Sequence, residues 1–103
     1  MIVRAWRGQA LAANASAYSE HFRRKVLPEL ESIEGFLGAA LLRGDRDDGV
    51  EFLVLTRWAS MDAIRAFAGD DVGKAVVEPD AVAALVSFDR TVRHYDVVQE
   101  TAR

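Results

Sequence analysis

The sequence predicts an α+β domain in which helices cover one face of an antiparallel sheet. Three observations lead to this prediction: an apolar strand pattern that runs directly into a capped amphipathic helix over residues 50–69, a longer helical pattern before it, and short alternating segments at both ends of the chain. The chain has 103 residues, half of them hydrophobic, which is enough for one core. Residues 1–103 are therefore expected to form a single domain.

The chain is predicted to begin with a strand and a long helix. Residues 2–7 alternate, so that Arg4 and Trp6 share one face, and this pair is not a plain core pattern. Residues 11–33 are rich in helix formers. Because Pro28 removes a backbone donor inside this segment, we expect the helix to bend or divide just ahead of it. The apolar stripe of the helix consists of Tyr18, Phe22, Val26, Leu30 and Ile33.

A hairpin and a second helix are predicted next. Residues 36–43 form a strand with several small side chains, and residues 44–49 have the Asp- and Gly-rich composition of a hairpin loop. Residues 50–58 form a strand that is apolar on both faces between polar ends. Ser60 is then expected to cap an amphipathic helix that Gly69 ends.

The end of the chain is predicted to contain a short helix and a last strand. Residues 70–78 indicate a turn or a partial helix, residues 79–86 a short helix that begins at its proline, and residues 89–98 an alternating strand. The order strand, helix, strand, strand, helix, strand is that of a ferredoxin-like α+β domain, β-α-β-β-α-β, with helices on one face of an antiparallel sheet.

The second face of this sheet is predicted to be covered by another copy of the chain. Whichever face the helices cover, the strand at residues 50–58 presents apolar side chains such as Leu53 and Leu55 on the other. A domain of this size does not leave such a surface in water, so we expect a homodimer through the sheet face.

The composition of the chain limits the classes of partner and cofactor that it is expected to bind. Thirteen Lys and Arg residues oppose 16 Asp and Glu residues, and the net charge of −3 gives no positive field for nucleic acid or an anionic membrane. The absence of cysteine excludes disulfides and thiolate metal sites, and the two histidines show no metal-ligand spacing. No apolar run approaches the roughly 20 residues that span a bilayer, and the first residues form a strand pattern instead of a signal peptide. We therefore expect a cytoplasmic protein without a bound metal or cofactor.

The chain resembles the antibiotic biosynthesis monooxygenase family of small dimeric α/β-barrel proteins. The resemblance covers nearly the whole chain and depends on spacing more than on chemistry. It rests on Arg4, Trp6 and Gly8 in the opening strand, Trp58-Ala59-Ser60, Ala66-Phe67-Ala68-Gly69, Ala75-Val76-Val77, Phe88-Asp89 and His94-Tyr95.

The related haem-degrading proteins can be compared residue by residue. Their pattern has an asparagine in the first strand, a tryptophan in the second helix and an iron-binding histidine about ten residues later. In this chain Phe67 stands at the tryptophan position, Val77 at the histidine position, and the first strand has no asparagine. The resemblance therefore does not extend to haem breakdown by that route.

The resemblance implies a cofactor-independent monooxygenase that acts on a small aromatic or quinol-like metabolite. In such chemistry an acidic phenol or anthrone loses a proton, and its anion reduces dioxygen, which requires a base, donors to the anion and a dry pocket. His94 is the candidate base, because imidazole titrates near neutral pH, and Asp96 is placed to orient it. The candidate substrate-binding residues are Arg4, Trp6, Tyr18, Arg57 and Trp58. His21 stands among charged residues of the first helix and is expected to be exposed.

Two other functions stay open. A non-catalytic binder of a small hydrophobic ligand needs the same pocket without a base. A small isomerase or lyase needs the base without dioxygen.

Overall fold

One antiparallel sheet forms the frame of the protein. The computed structural model describes residues 1–103, with strands β1 (Ile2–Ala10), β2 (Phe36–Arg46), β3 (Gly49–Trp58), β4 (Ser87–Phe88) and β5 (Arg93–Asp96). The strand order is β2-β3-β1, and β4 and β5 both pair with the remaining edge of β1. The predicted ferredoxin-like α+β fold is confirmed.

The first helical segment changes its geometry ahead of Pro28, as predicted. A 3₁₀ turn (Ala12–Asn14) leads into helix α1 (Ala15–His21), a π-helical turn (Phe22–Val26) and helix α2 (Leu27–Glu31). The backbone N–H of Leu27 donates to the Phe22 carbonyl, a π-helical bond of five residues. Pro28 has no N–H to continue the α-helical pattern, and the wider turn takes up this irregularity without ending the helix.

The second helix has the predicted limits. Helix α3 (Met61–Ala68) begins after Ser60, whose Oγ accepts a hydrogen bond from the Ala63 backbone N–H at 3.2 Å. It ends at Gly69, which has a φ of 83°, a conformation that glycine adopts without strain. Helix α4 (Pro79–Ala84) packs against α1 on the same side of the sheet. No helix is both long enough and apolar enough to cross a membrane.

Four predicted boundaries are wrong. Strand β1 does not end at residue 7 but stays paired with β3 as far as Ala10. The hairpin loop is shorter than residues 44–49, because the ladder continues to the pair Arg46 and Gly49 and leaves a two-residue turn. Helix α4 ends at Ala84, because Leu85 is extended and the Val86 N–H already donates to the Gln9 carbonyl of β1.

The predicted last strand, residues 89–98, is also divided. Its middle leaves β1 and pairs with the irregular segment at residues 70–78: Thr91 bridges Lys74, and the Val92 N–H donates to the Gly73 carbonyl at 2.9 Å. These two contacts hold the irregular segment at the edge of the sheet.

The two faces of the sheet differ in burial. The helix-covered face, called the inner face, carries the buried side chains of β3: Val50, Phe52, Val54, Thr56 and Trp58. The outer face carries the other set, including Leu53 and Leu55, together with the exposed Leu42 and Tyr95 of neighbouring strands. Within this single chain no helix covers the outer face.

Candidate active site

A mainly apolar cavity lies between the inner face and the helices. Its volume is about 60 Å³. The sheet contributes Arg4 and Trp6, α1 contributes Tyr18 and His21, α3 contributes Phe67, and the irregular segment contributes Glu78. The cavity therefore brings together three of the predicted substrate-binding residues, Arg4, Trp6 and Tyr18.

Arg4 is a buried cation without a carboxylate partner. It is 4% exposed. Its Nη1 donates to the Val72 carbonyl at 2.6 Å and lies 3.0 Å from His94 Nε2, and its Nη2 donates to the Lys74 carbonyl at 3.0 Å. Burial lowers the pKa of Arg4 to about 10, so the side chain remains charged at neutral pH. A guanidinium has five N–H groups, and these three bonds leave two of them free.

Phe67 adds an aromatic face to this cation. The Arg4 Cζ lies 5.8 Å from the centroid of the Phe67 ring, within the range of a cation–π interaction. The positive end of the cavity is thus built from one strand, one helix and the backbone carbonyls of the irregular segment.

His94 lies beside Arg4 and not in the cavity wall. The pairing of β1 with β5 places Arg4 opposite His94. A guanidinium can only donate, so His94 Nε2 accepts this bond and the ring proton resides on Nδ1. Burial and the charge of Arg4 lower the pKa of His94, which favours this neutral form. Asp96 shares the strand face of His94, but its side chain is exposed and forms no hydrogen bond or ion pair with the imidazole.

Trp6 and Tyr18 form an aromatic wall. Their ring centroids are 6.1 Å apart, and Tyr18 also packs 5.0 Å from Phe52. The Trp6 Nε1 donates to the Asp89 carbonyl at 2.7 Å, so its indole N–H is not free for a ligand. Burial raises the pKa of Tyr18, which keeps its phenol protonated and able to donate.

Arg57 and Trp58 lie outside the cavity. Trp58 is fully buried, its Nε1 donates to Thr56 Oγ1 at 2.8 Å, and its ring packs between Phe36 and Phe67. Arg57 is exposed on the outer face, where it forms an ion pair with Glu100. Neither side chain reaches the group formed by Arg4, Trp6 and Tyr18.

Comparison with known families identifies the chain. The model of the antibiotic biosynthesis monooxygenase family matches residues 1–79. The chain belongs to this family. A comparison with curated protein sequences finds no match.

Solved structures of similar fold include family members with different described activities. A candidate antibiotic biosynthesis monooxygenase from Caulobacter crescentus is 22% identical, with a TM-score of 0.71 over 95% of this chain and 90% of that one. A mutant of SnoaB, a cofactor-independent oxygenase from Streptomyces nogalater, is 22% identical, with a TM-score of 0.68 over 99% of this chain and 97% of that one. The haem degrader MhuD from Mycobacterium tuberculosis is 21% identical, with a TM-score of 0.65 over 99% of this chain and 100% of that one. At these identities the likeness establishes the fold.

In this family member, the prediction for one cavity residue is wrong. The sequence predicts an exposed His21, but its side chain is only 8% exposed and lines the cavity. The available signal is its spacing: His21 follows Tyr18 by three residues and precedes Phe22, so it belongs to their helical stripe. The charged residues around it face solvent and obscure this position.

Proposed function

We propose that this family member is a cofactor-independent monooxygenase whose substrate is a small aromatic or quinol-like molecule bound as an anion beside Arg4. One observation carries the proposal: a charged, buried guanidinium faces a mainly apolar cavity and has no carboxylate partner. Burying an unpaired charge is costly. A ligand anion that fills the cavity supplies the missing counter-charge.

The aromatic part of the ligand is matched by the rest of the cavity. Trp6 and Phe67 present ring surfaces, and the protonated Tyr18 hydroxyl is a further donor for an oxyanion. Two free N–H groups of Arg4 suit a phenolate or enolate oxygen, because hydrogen bonds between charged groups are stronger than neutral ones. The site is therefore suited to an aromatic ring that bears an acidic hydroxyl.

The proposed reaction uses the anion itself as the reductant. After deprotonation, the electron-rich substrate reduces dioxygen in the mainly apolar cavity. For a substrate with an acidic ring CH₂, that carbon becomes C=O with one oxygen atom from O₂, and the second oxygen leaves as water with the two hydrogens. Arg4 stabilises the negative charge from which the electrons are taken.

His94 is proposed to act through Arg4. Its Nε2 lone pair accepts from Arg4 Nη1 and thereby fixes the direction of the guanidinium. The base role predicted for His94 stays a prediction, as does the orienting role of Asp96, and neither is needed for anion binding.

Ligand binding requires the cavity to enlarge. Its volume of about 60 Å³ is below the roughly 150 Å³ of an engineered cavity that holds benzene. The wall without regular secondary structure is the irregular segment, which Arg4 holds through the Val72 and Lys74 carbonyls. We propose that this segment moves outward to admit the ligand, whose anion binds the two free N–H groups of Arg4.

Binding of p-nitrophenol, whose absorbance reports its ionisation, tests the anion site. The wild-type protein is expected to bind the phenolate form, and Arg4→Met to bind it about 10–100-fold more weakly, which corresponds to the roughly 1.5–3 kcal/mol of a hydrogen bond to a charged group. Arg4→Lys is the matched control, because it keeps the charge and removes the planar donor set. Equal affinity in wild type and Arg4→Met would contradict the proposal.

Oxygen uptake with an anthrone or hydroquinone separates the candidate functions. The monooxygenase consumes O₂ in proportion to substrate and loses turnover in Arg4→Met. An isomerase or lyase turns substrate over equally well without O₂, and a non-catalytic binder gives no product under either condition. A tight haem complex with histidine ligation would favour the activity described for MhuD instead.

The outer face is proposed to pack against a second copy of the chain. Leu42, Leu53, Leu55 and Tyr95 make an apolar surface on it, and two-fold symmetry places the same surface on both partners. Light scattering is expected to give a dimer for the wild type and a monomer for Leu55→Asp, while a wild-type monomer at micromolar concentration would rule this interface out.

A further inference from the structure

We infer that His21 is the base that takes the substrate proton and passes it from the cavity to solvent in a groove between α1 and α4. The inference rests on the proposed function and adds to it the residue that accepts the substrate proton and the route by which this proton reaches solvent. It begins with an unsatisfied side chain: both ring nitrogens of His21 are buried, and neither has a hydrogen-bond partner. An imidazole in its neutral form has one donor and one acceptor, and leaving such a group unpaired in the interior is destabilising.

The position of His21 indicates what its missing partner is. The ring lines the same cavity as Arg4, and its centroid lies 6.2 Å from that of Tyr18. A ligand held by Arg4 therefore shares the cavity with an imidazole that has a free acceptor. His94 differs in this respect, because its acceptor nitrogen is already bonded to Arg4.

His21 also lines a second space, on the outside of the protein. This groove has a volume of about 370 Å³ and is bordered by residues of α1, the π-helical turn and α4. One imidazole thus borders both the cavity and the groove. A ring with two nitrogens is suited to receive a proton on one side and release it on the other.

The local backbone is consistent with a functional position. His21 is the last residue of α1 before the π-helical turn at Phe22–Val26. Such turns occur frequently at functional sites, because they displace side chains from the regular helical positions.

Charged and titratable groups line both of the spaces that His21 borders. On the cavity side are Arg4, Tyr18 and Glu78. On the groove side are Glu20, Arg24, Lys25 and Asp80. Glu20 is already paired with Arg23 and Arg24, whereas Glu78 and Asp80 have no ion-pair partner and favour an imidazolium ion during transfer.

The proposed step is a simple proton transfer. The acidic O–H or C–H bond of the substrate breaks, and its electron pair stays on the substrate anion beside Arg4. The proton forms an N–H bond on His21. The imidazolium keeps this proton while the anion is bound, and once the anion has reacted, its second N–H releases a proton to water in the groove, which restores the neutral ring.

Proton uptake on binding tests this inference. Calorimetric titration with p-nitrophenolate in two buffers of different ionisation enthalpy measures the protons taken up per bound ligand. We expect close to one proton for the wild type and for His94→Gln, because His21 becomes protonated beside the bound anion, and none for His21→Gln. Thermal unfolding of each variant checks that it is folded.

The outcomes separate this inference from the anion site. Full proton uptake by folded His21→Gln, or loss of uptake in His94→Gln alone, would assign the base elsewhere. If p-nitrophenolate failed to bind the wild type, the anion site would be wrong and the inference would fall with it. Should His21→Gln not fold, ¹⁵N NMR of the wild-type imidazoles decides: conversion of His21 to imidazolium on ligand addition supports the inference, and an unchanged His21 overturns it.

Discussion

Strands β1 and β3 lie side by side, yet the polar groups on their inner faces differ in whether they already have hydrogen-bond partners. The ladder places Arg4 opposite Thr56 and Trp6 opposite Val54. On β3, the only indole N–H is satisfied by Thr56 two residues earlier, and the Trp58 ring is closed off from any space. On β1, Arg4 keeps two free N–H groups and has no counter-charge.

This difference indicates that β3 contributes mainly to the stability of the sheet and β1 mainly to ligand binding. A strand whose buried polar groups are all paired gains from burial and offers a ligand packing contacts but no free polar group. A strand with an uncompensated buried cation gives up stability for binding capacity, as functional sites commonly do. We therefore expect substitutions on β3 to act on the free energy of unfolding and those on β1 to act mainly on ligand binding.

The two tryptophans give the largest expected contrast. Trp58→Ala is expected to lower the free energy of unfolding by about 3–5 kcal/mol, because it leaves a closed cavity among Phe36, Ile64 and Phe67. Trp6→Ala is expected to cost less, within the ordinary range of about 0.5–3 kcal/mol, because its ring already borders an open space. Urea denaturation measures both. Equal losses would show that β1 is as much a part of the scaffold as β3.

The hydrogen bond within β3 gives the second contrast. Thr56→Val keeps the shape of the side chain but leaves the Trp58 N–H unpaired in the core, so we expect a loss of about 1–3 kcal/mol. Thr56→Ser keeps the hydroxyl and is the matched control for the methyl group. Denaturation of the two variants should separate them. A loss in Thr56→Ser as large as in Thr56→Val would assign the effect to packing.

Most of the fold was predictable from the sequence, because its signals are local. Alternation placed Arg4 and Trp6 on one face, and the Ser60 cap and Gly69 stop limited α3 correctly. The division of the last strand was not predictable, because it depends on pairing with the irregular segment far along the chain.

The site was predictable only in part, for reasons of geometry. Alternation along β3 puts Arg57 and Trp58 on opposite faces, so one cavity cannot contain both side chains. Whether an indole N–H is free depends on its partner, and for Trp58 this is Thr56. The burial of His21 is not predicted because its sequence neighbours are charged, although its spacing from Tyr18 places it on the buried stripe.

The pH dependence of stability gives the smallest contrast, and it concerns the support of β1 by β5. The pKa of His94 is lowered by burial and by the charge of Arg4, so the unfolded chain, with an ordinary pKa of about 6.5, binds more protons than the folded one. Stability from this group is therefore complete above about pH 6.5 and is lost as the pH falls below it. Because the ring is partly exposed, we expect an effect of at most about 1 kcal/mol.

The difference in unfolding free energy between wild type and His94→Gln isolates the contribution of His94, since all other titrating groups are shared. This difference should be constant at pH 7–8 and shift against the wild type towards about pH 5. A constant difference over the whole range would mean that the contact between Arg4 and His94 does not depend on a neutral imidazole, and β1 would then hold its cation without help from β5.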